Sequence, residues 1–304
     1  PEILAMGGYV SARSIEKSNR DTIFLDANEC AFEPFIGAQN LSRYPEQQPT
    51  ALQEAICRWL DVSKRYITIT RGADEAIDCL VRAFCVPGQD NIVICPPTFA
   101  MYAQSAMLQN AEVRQAKLDR KFDLDVNLIN QITDKNTKII FVCSPNNPTA
   151  NLMNRARILQ LCADYSETAL VVVDETYVEF ANSESLIPFL DAHANLAILR
   201  TLSKSHAAAG LRCGVCVARS DVTELLQKVL APYPLPQPVI DAALTILSAK
   251  SQSILAAKRR DIVTRRNQVA VALAACPDIV KVLPSDANYL LVRVKNAADL
   301  CEKC

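Results

Sequence analysis

Strand-length apolar runs without polar alternation, separated by helical patterns, constrain this chain more than any other feature. They fall at residues 67–70, 92–95, 139–142, 170–173 and 196–199, with a sixth at 214–218. Runs of this kind belong to strands buried on both faces, as in a mostly parallel sheet covered by helices. Between them, Ala76, Ile77, Leu80, Val81 and Phe84 recur at helical spacing after Gly72. Leu159 and Cys162 indicate a further helix before the run at 170. The expected class is α/β: a doubly wound, mostly parallel central sheet with helices on both faces.

The proline-dense stretch 232–238 can be neither helix nor central strand, and it reads as the exit from a large domain. A long helical pattern at 239–275 follows, then a strand pattern at 288–294 that belongs to a smaller α/β lobe. The expected division is an N-terminal segment at 1–35, a large domain at 36–238, and an interdomain helix with part of a small domain at 239–304.

A formal net charge of −1 gives no global basic field, so nucleic acid is not an expected partner and any bound anion must be held by local groups. No apolar stretch reaches membrane-spanning length, and residues 1–13 lack the basic start and apolar block of a signal peptide. The twelve cysteines are scattered, most of them within apolar runs. Such cysteines behave as small buried hydrophobes in a reduced compartment, so the cytoplasm is the expected setting. Two C-x-x-C pairs exist, Cys213–Cys216 and Cys301–Cys304. The first lies on a strand pattern, where residues three apart face opposite ways and cannot readily chelate one ion, so no metal is expected.

The chemistry-bearing residues sit where apolar runs end. Gly72 closes one run and opens a helix at Ala73, Asp74 and Glu75, a turn that aims free N–H groups and a helix dipole at an anion. Asp74 and Glu75 also suit a helix N-terminus that holds no ligand. Lys204 follows the run at 196–199, with Ser203 before it and Arg212 eight positions on. A lysine after a strand is ordinary surface when taken alone. With a hydroxyl and an arginine beside it, the set suits a phosphorylated carbonyl cofactor: an imine at the lysine, the phosphate at Ser203 and Arg212. Asp174 ends the run at 170–173, with Tyr177 three residues on, at the usual ligand edge of a parallel sheet. A carboxylate there could keep a pyridine nitrogen protonated. An Mg²⁺-binding acid of the Walker B kind is the competing reading, opposed by the lack of a Walker A loop. Asn146, in Ser144-Pro145-Asn146-Asn147-Pro148-Thr149, is either turn chemistry or a donor to a phenolate oxygen.

Taken in order, these segments resemble the fold-type I aminotransferases that use pyridoxal 5′-phosphate, and among them the histidinol-phosphate aminotransferases. The likeness runs through Asp26 to Glu29, Arg43 to Glu46, Arg71 to Glu75, Cys95 to Phe99, Ser144 to Thr149, Asp174 to Tyr177, Arg200 to Lys204, Gly210 to Gly214 and Ala231 to Leu235. It implies that Lys204 carries the cofactor as a Schiff base and shuttles the reaction's proton. Asp174 would pair with the pyridinium nitrogen, Asn146 and Tyr177 would bond the phenolate oxygen, and Phe99 would stack on the ring. The phosphate would lie on the N–H groups of Ala73 and Asp74, on Ser203 and Arg212, and on Tyr44 of a second subunit, which implies a homodimer with shared sites. Tyr9 and Asn28 match substrate-side positions; for Tyr9, packing on its own lobe is an equal alternative.

The implied reaction is transamination between L-histidinol phosphate and 2-oxoglutarate, giving glutamate, within histidine biosynthesis. The competing activities on the same fold are an aromatic-amino-acid aminotransferase and a phosphothreonine-type decarboxylase. A non-enzymatic binding module that keeps the fold is opposed by the presence of both Lys204 and Asp174. Ala31 and Ala150 depart from a proline and a glycine of the pattern, and small backbone adjustments are expected there. The resemblance also implies a small domain running about fifty residues past Cys304 and supplying substrate-binding arginines, so the chain is expected to be partial.

Overall fold

The computed structural model describes residues 2–6, 27–30, 32–35 and 41–303. Tyr9 and Ala31 lie outside the described residues. The strands are β1 (Ile67–Thr70), β2 (Asn91–Ile94), β3 (Glu112–Gln115), β4 (Thr137–Cys143), β5 (Leu170–Asp174), β6 (Leu196–Thr201), β7 (Gly214–Ala218), β8 (Ile279–Val282) and β9 (Val292–Val294). The first seven form one sheet in the order β1-β7-β6-β5-β4-β2-β3, and β8 and β9 pair separately. Strands β3, β2, β4, β5 and β6 run parallel; β7 runs against both β6 and β1.

After a single helical turn at Glu2–Ala5, the helices are α1 (Thr50–Leu60), α2 (Ala73–Phe84), α3 (Met101–Leu108), α4 (Val126–Ile132), α5 (Arg155–Asp164), α6 (Ser220–Val229), α7 (Gln237–Ile246), α8 (Ala249–Ala274) and α9 (Ala297–Lys303). Because side chains alternate along a strand, the sheet has two apolar faces, and each is covered. On one, Ile140, Val142, Val171, Val173 and Ile198 pack against Leu52 and Ile56 of α1, Ile158 and Leu161 of α5, and Ile240 of α7. On the other, Ile139, Phe141, Val172 and Leu199 pack against Ile77 and Leu80 of α2, Tyr102 of α3 and Leu226 of α6. Fully burying a side chain such as Ile77 contributes about 1.5–3 kcal/mol, so these two layers dominate the stability of the sheet. Cys213 belongs to the first layer and Cys216 to the second, the opposite facing expected of that pair.

Two segments differ from the sequence expectation. The helical pattern at 239–275 is two helices, because Leu247 ends α7 and Ser248 caps α8, accepting from the Ser251 N–H at 3.4 Å. The proline stretch also yields two residues to α7, whose first turn tolerates Pro238 because the N–H there has no helical acceptor to lose. The strand pattern at 288–294 is reduced to Val292–Val294. No single helix among the described residues is long and apolar enough to cross a membrane.

Candidate active site

Strands β1, β2, β4, β5 and β6 all end at one edge of the sheet, and β7 begins there. Thr70 and Thr201 both pair with Gly214, and Asp174 pairs with Cys143. The turns that leave this edge therefore converge. Between them lies a cavity of about 160 Å³, lined by Ala73 and Asp74, Phe99, Cys143, Asn147, Asp174, Thr176 and Tyr177, Thr201, Ser203 and Lys204, and Ala209 and Arg212.

One end of the cavity gathers groups that could receive an anion. Gly72 sits at φ 84°, a left-handed value that favours glycine, and turns β1 directly into α2. A Cβ on Gly214 would lie 2.7 Å from the Gly72 carbonyl carbon and 2.9 Å from the Ala73 nitrogen, so these two backbones can touch because residue 214 is glycine. The first N–H groups of α2 have no acceptor within the helix and carry its positive dipole end. Arg212, itself left-handed at φ 50°, brings Nη2 to 3.0 Å from Asp74 Oδ2 and Nη1 to 3.5 Å from Ser203 Oγ. Thr201 Oγ1 donates to Ser203 Oγ at 2.9 Å and accepts from the Ser203 N–H at 3.1 Å. The Arg212 guanidinium, the Thr201 and Ser203 hydroxyls and the first residues of α2 thus line one end of the cavity, with the Asp74 carboxylate paired to the arginine.

The opposite end is a buried acid. Asp174 accepts from Tyr102 Oη at 2.8 Å and from the Thr176 N–H at 3.0 Å. Burial pushes its carboxyl above the ordinary range, and the Thr176 and Tyr102 hydrogen bonds oppose that shift. A cationic N–H arriving in the cavity would restore the charged form. Tyr102 is clamped between Phe141, stacked at 4.7 Å, and the edge of Phe99 at 5.7 Å. Phe99 itself is half-buried and presents to the cavity. Lys204 is exposed to the cavity with Nζ 5.9 Å from the centre of the Tyr177 ring. The Tyr177 phenol is pushed up to about 12 by burial, and it remains a donor at neutral pH.

Asn146 requires a correction. Its Nδ2 donates to Pro97 O at 2.8 Å and to Thr149 Oγ1 at 2.7 Å, and its Oδ1 accepts from Thr98 Oγ1 at 3.0 Å. Both amide hydrogens are spent inside the loop, so none is left for a phenolate oxygen. Asn147, the residue directly before Pro148, lines the cavity instead. Position relative to the proline was the available signal, since successive residues of a turn point to different sides. Thr176, Thr201 and Tyr102 were also missed; only the three-residue spacing of Tyr102 from Phe99 at the start of a helix could have pointed to it.

Two expected residues stand away from this cavity. Tyr44 is exposed and stacks on Tyr233 at 4.7 Å. Asn28 is exposed at φ 51° beside Glu29, whose carboxylate accepts from Arg43 Nη1 at 3.0 Å and from the Tyr44 N–H at 2.5 Å. Ala150 stands at φ 65°, where the family pattern has glycine, and it is fully buried.

The model of the family "Aminotransferase class I and II" matches residues 21–304. The histidinol-phosphate aminotransferase of Pectobacterium carotovorum subsp. carotovorum is 42% identical over 293 residues, covering 96% of this chain and 81% of that protein. Among solved structures, a histidinol-phosphate aminotransferase from Sinorhizobium meliloti in complex with pyridoxal-5′-phosphate superposes with a TM-score of 0.78 at 21% identity, covering 86% of this chain and 71% of that one. The L-threonine-O-3-phosphate decarboxylase of Porphyromonas gingivalis superposes with a TM-score of 0.73 at 25% identity, covering 87% and 82%. The fold is thus common to more than one reaction, whereas the sequence match over 96% of this chain is to a histidinol-phosphate aminotransferase. The chain belongs to the class I and II aminotransferase family.

Proposed function

We propose that this chain binds pyridoxal 5′-phosphate through Lys204 and transaminates L-histidinol phosphate with 2-oxoglutarate as acceptor. The cofactor reading rests on one observation: a lysine, a buried carboxylate and an anion cup face a single cavity from separate strand ends. The donor set fits the cofactor's polar groups. The α2 N–H groups at Ala73 and Asp74, with Ser203, Arg212 and Thr201, take the phosphate. Phe99 covers a ring face, and Asp174 receives the pyridine N–H. Tyr177 and Asn147 donate to the phenolate oxygen. When bound, the cofactor supplies an electron sink for the bond broken at the substrate's α-carbon.

The chain's own work is positioning and proton movement. Lys204 Nζ would be the group that takes and returns the proton of the substrate's α-carbon, in a cavity that Phe99 and Asp174 also line. The substrate reading is supported by the names of relatives 40–42% identical over nearly the whole chain. A homodimer is part of the proposal, with Tyr44 serving a partner's site and Asn28 on the substrate side. Tyr44 lies outside its own cavity, and Phe32, Phe35, Met107 and Leu108 are exposed apolar side chains that a second copy could cover. The division into a large domain at 36–238 and a smaller one from 239 is part of the proposal and is supported by the two separate sheets, whereas the described residues Glu2–Ala5 of the N-terminal segment pack on α6 of the large domain, where Lys228 Nζ donates to Leu4 O at 3.1 Å. A reduced, cytoplasmic setting accords with buried free thiols such as Cys79, Cys95 and Cys162.

The first test is Lys204→Ala, expected to abolish the lysine-linked absorption band and to lower turnover by at least about 10³-fold. Retention of that band in the variant would sink the cofactor reading. The second compares single half-reactions with histidinol phosphate, phenylalanine and phosphothreonine. Rapid reaction with phenylalanine alone, or carbon dioxide release from phosphothreonine, would overturn the substrate reading and leave the cofactor reading intact.

A further inference from the structure

Residues 285–289 of the smaller lobe pack behind the loops that line the cavity. The Asp286 N–H donates to Ala150 O at 2.7 Å, and Asp286 Oδ2 accepts from the Leu152 N–H at 3.0 Å. Tyr289 Oη donates to the backbone carbonyl of Asn146 at 2.8 Å. The Tyr289 ring also stands edge-on to Tyr177, centres 5.4 Å apart and planes at 80°. Ala287, Ala150, Tyr177 and Phe180 form a small buried cluster against which Tyr289 packs. Arg266 of α8 donates to Ala287 O at 2.6 Å and ties the segment to its own lobe.

Tyr289 is not in the cavity lining, yet it touches both elements that carry the expected donors to the phenolate oxygen. Its hydroxyl holds the peptide unit that leads into Asn147, and its ring edge abuts Tyr177. We propose that Tyr289 is a positioning residue that sets the strength of the Asn147 donor, so that the smaller lobe tunes the proton affinity of the lysine-linked cofactor. The two contacts have separable chemistry. A phenylalanine keeps the ring edge and loses only the hold on the Asn146 carbonyl, so its effect passes through Asn147. The direction follows from competition at the phenolate oxygen. Weaker outside donors leave that oxygen a better acceptor for the N–H beside it, which favours the protonated form.

This inference rests on the cofactor reading above, and its test separates the two. The absorption band of the holoenzyme is titrated against pH for the natural chain, Tyr289→Phe, Asn147→Ala and the double variant. The expected result is an upward shift of the midpoint by roughly half a pH unit in Tyr289→Phe, and almost none when Asn147 is already alanine. A midpoint unchanged in Tyr289→Phe, whether or not its thermal unfolding temperature falls, marks a merely structural contact and overturns the proposal. So does an equal shift in both backgrounds, which would show that Tyr289 acts by another route. A natural chain that shows no lysine-linked band overturns the cofactor reading itself, an outcome recognisable before any Tyr289 variant is made.

Discussion

Two neighbouring asparagines have opposite duties, and substitution separates them. Asn147→Ala removes a donor from the cavity and leaves the loop's own hydrogen bonds in place. We expect a loss of about 10–100-fold in kcat/KM, the worth of one hydrogen bond to a charged group, with unchanged unfolding in urea. Asn146→Ala strands Pro97 O and Thr149 Oγ1 in a buried loop, so it should cost about 2 kcal/mol or more of folding stability, read as a lower urea midpoint. Equal stability losses in the two variants would contradict the assignment. Residue type and order made most of the site legible from the chain alone: Lys204, Asp174, Tyr177, Phe99, Ser203 and Arg212 all reach one cavity. The two asparagines could not be told apart that way, because which amide faces inward depends on how the loop folds over Thr98 and Thr149. Tyr102 was illegible for a different reason: within α3 it reads as one more core aromatic, and only the fold brings its hydroxyl to Asp174.

At the level of elements, the anion cup depends on how closely the β1–α2 turn approaches the start of β7. Gly214→Ala inserts a methyl group 2.7–2.9 Å from backbone atoms of Gly72 and Ala73, which cannot swing aside as a side-chain tip can. The turn must move, and we expect destabilisation of about 1–3 kcal/mol. The misplaced N–H groups should also weaken cofactor retention at least tenfold, measured by the release of the absorbing cofactor on dilution. An unaffected release rate would show that the close approach serves packing alone. The strands were legible because their apolar runs are short and uninterrupted. The break between α7 and α8 was not, since Ser248 is a modest signal within a pattern that stays helical on both sides. The register of Val292–Val294 was equally hidden, because a three-residue strand is defined by its partner β8 and not by its own composition.

For the molecule as a whole, acid sensitivity should centre on His206. It is buried two residues past Lys204, with Nδ1 2.9 Å from Ser205 Oγ and its ring edge against Trp59 at 4.7 Å. Burial pushes its pKa down to about 4, with Glu179 opposing and Arg259 and Arg200 reinforcing the shift. The folded chain keeps this ring neutral while the unfolded chain protonates it at its ordinary 6.5, so stability is full above that value and drains as pH falls towards 4. Between pH 8 and pH 5 the loss attributable to this group is about 2 kcal/mol, and His206→Phe should flatten that part of the urea-midpoint profile. A profile as steep in the variant as in the natural chain would place the acid sensitivity elsewhere.

The placement of β7 has a consequence in time as well as in space. One half of the anion cup, at residues 72–74, is synthesised early, and the other half, at 201–212, comes far downstream. Among the described strands β1 pairs with β7 alone, so its place in the sheet is completed only when residue 218 has emerged. Closing so long a loop is entropically costly and is repaid only when the strand docks. On the cofactor reading proposed above, the phosphate needs both halves of the cup at once, so its capture would require that the sheet has closed through β7.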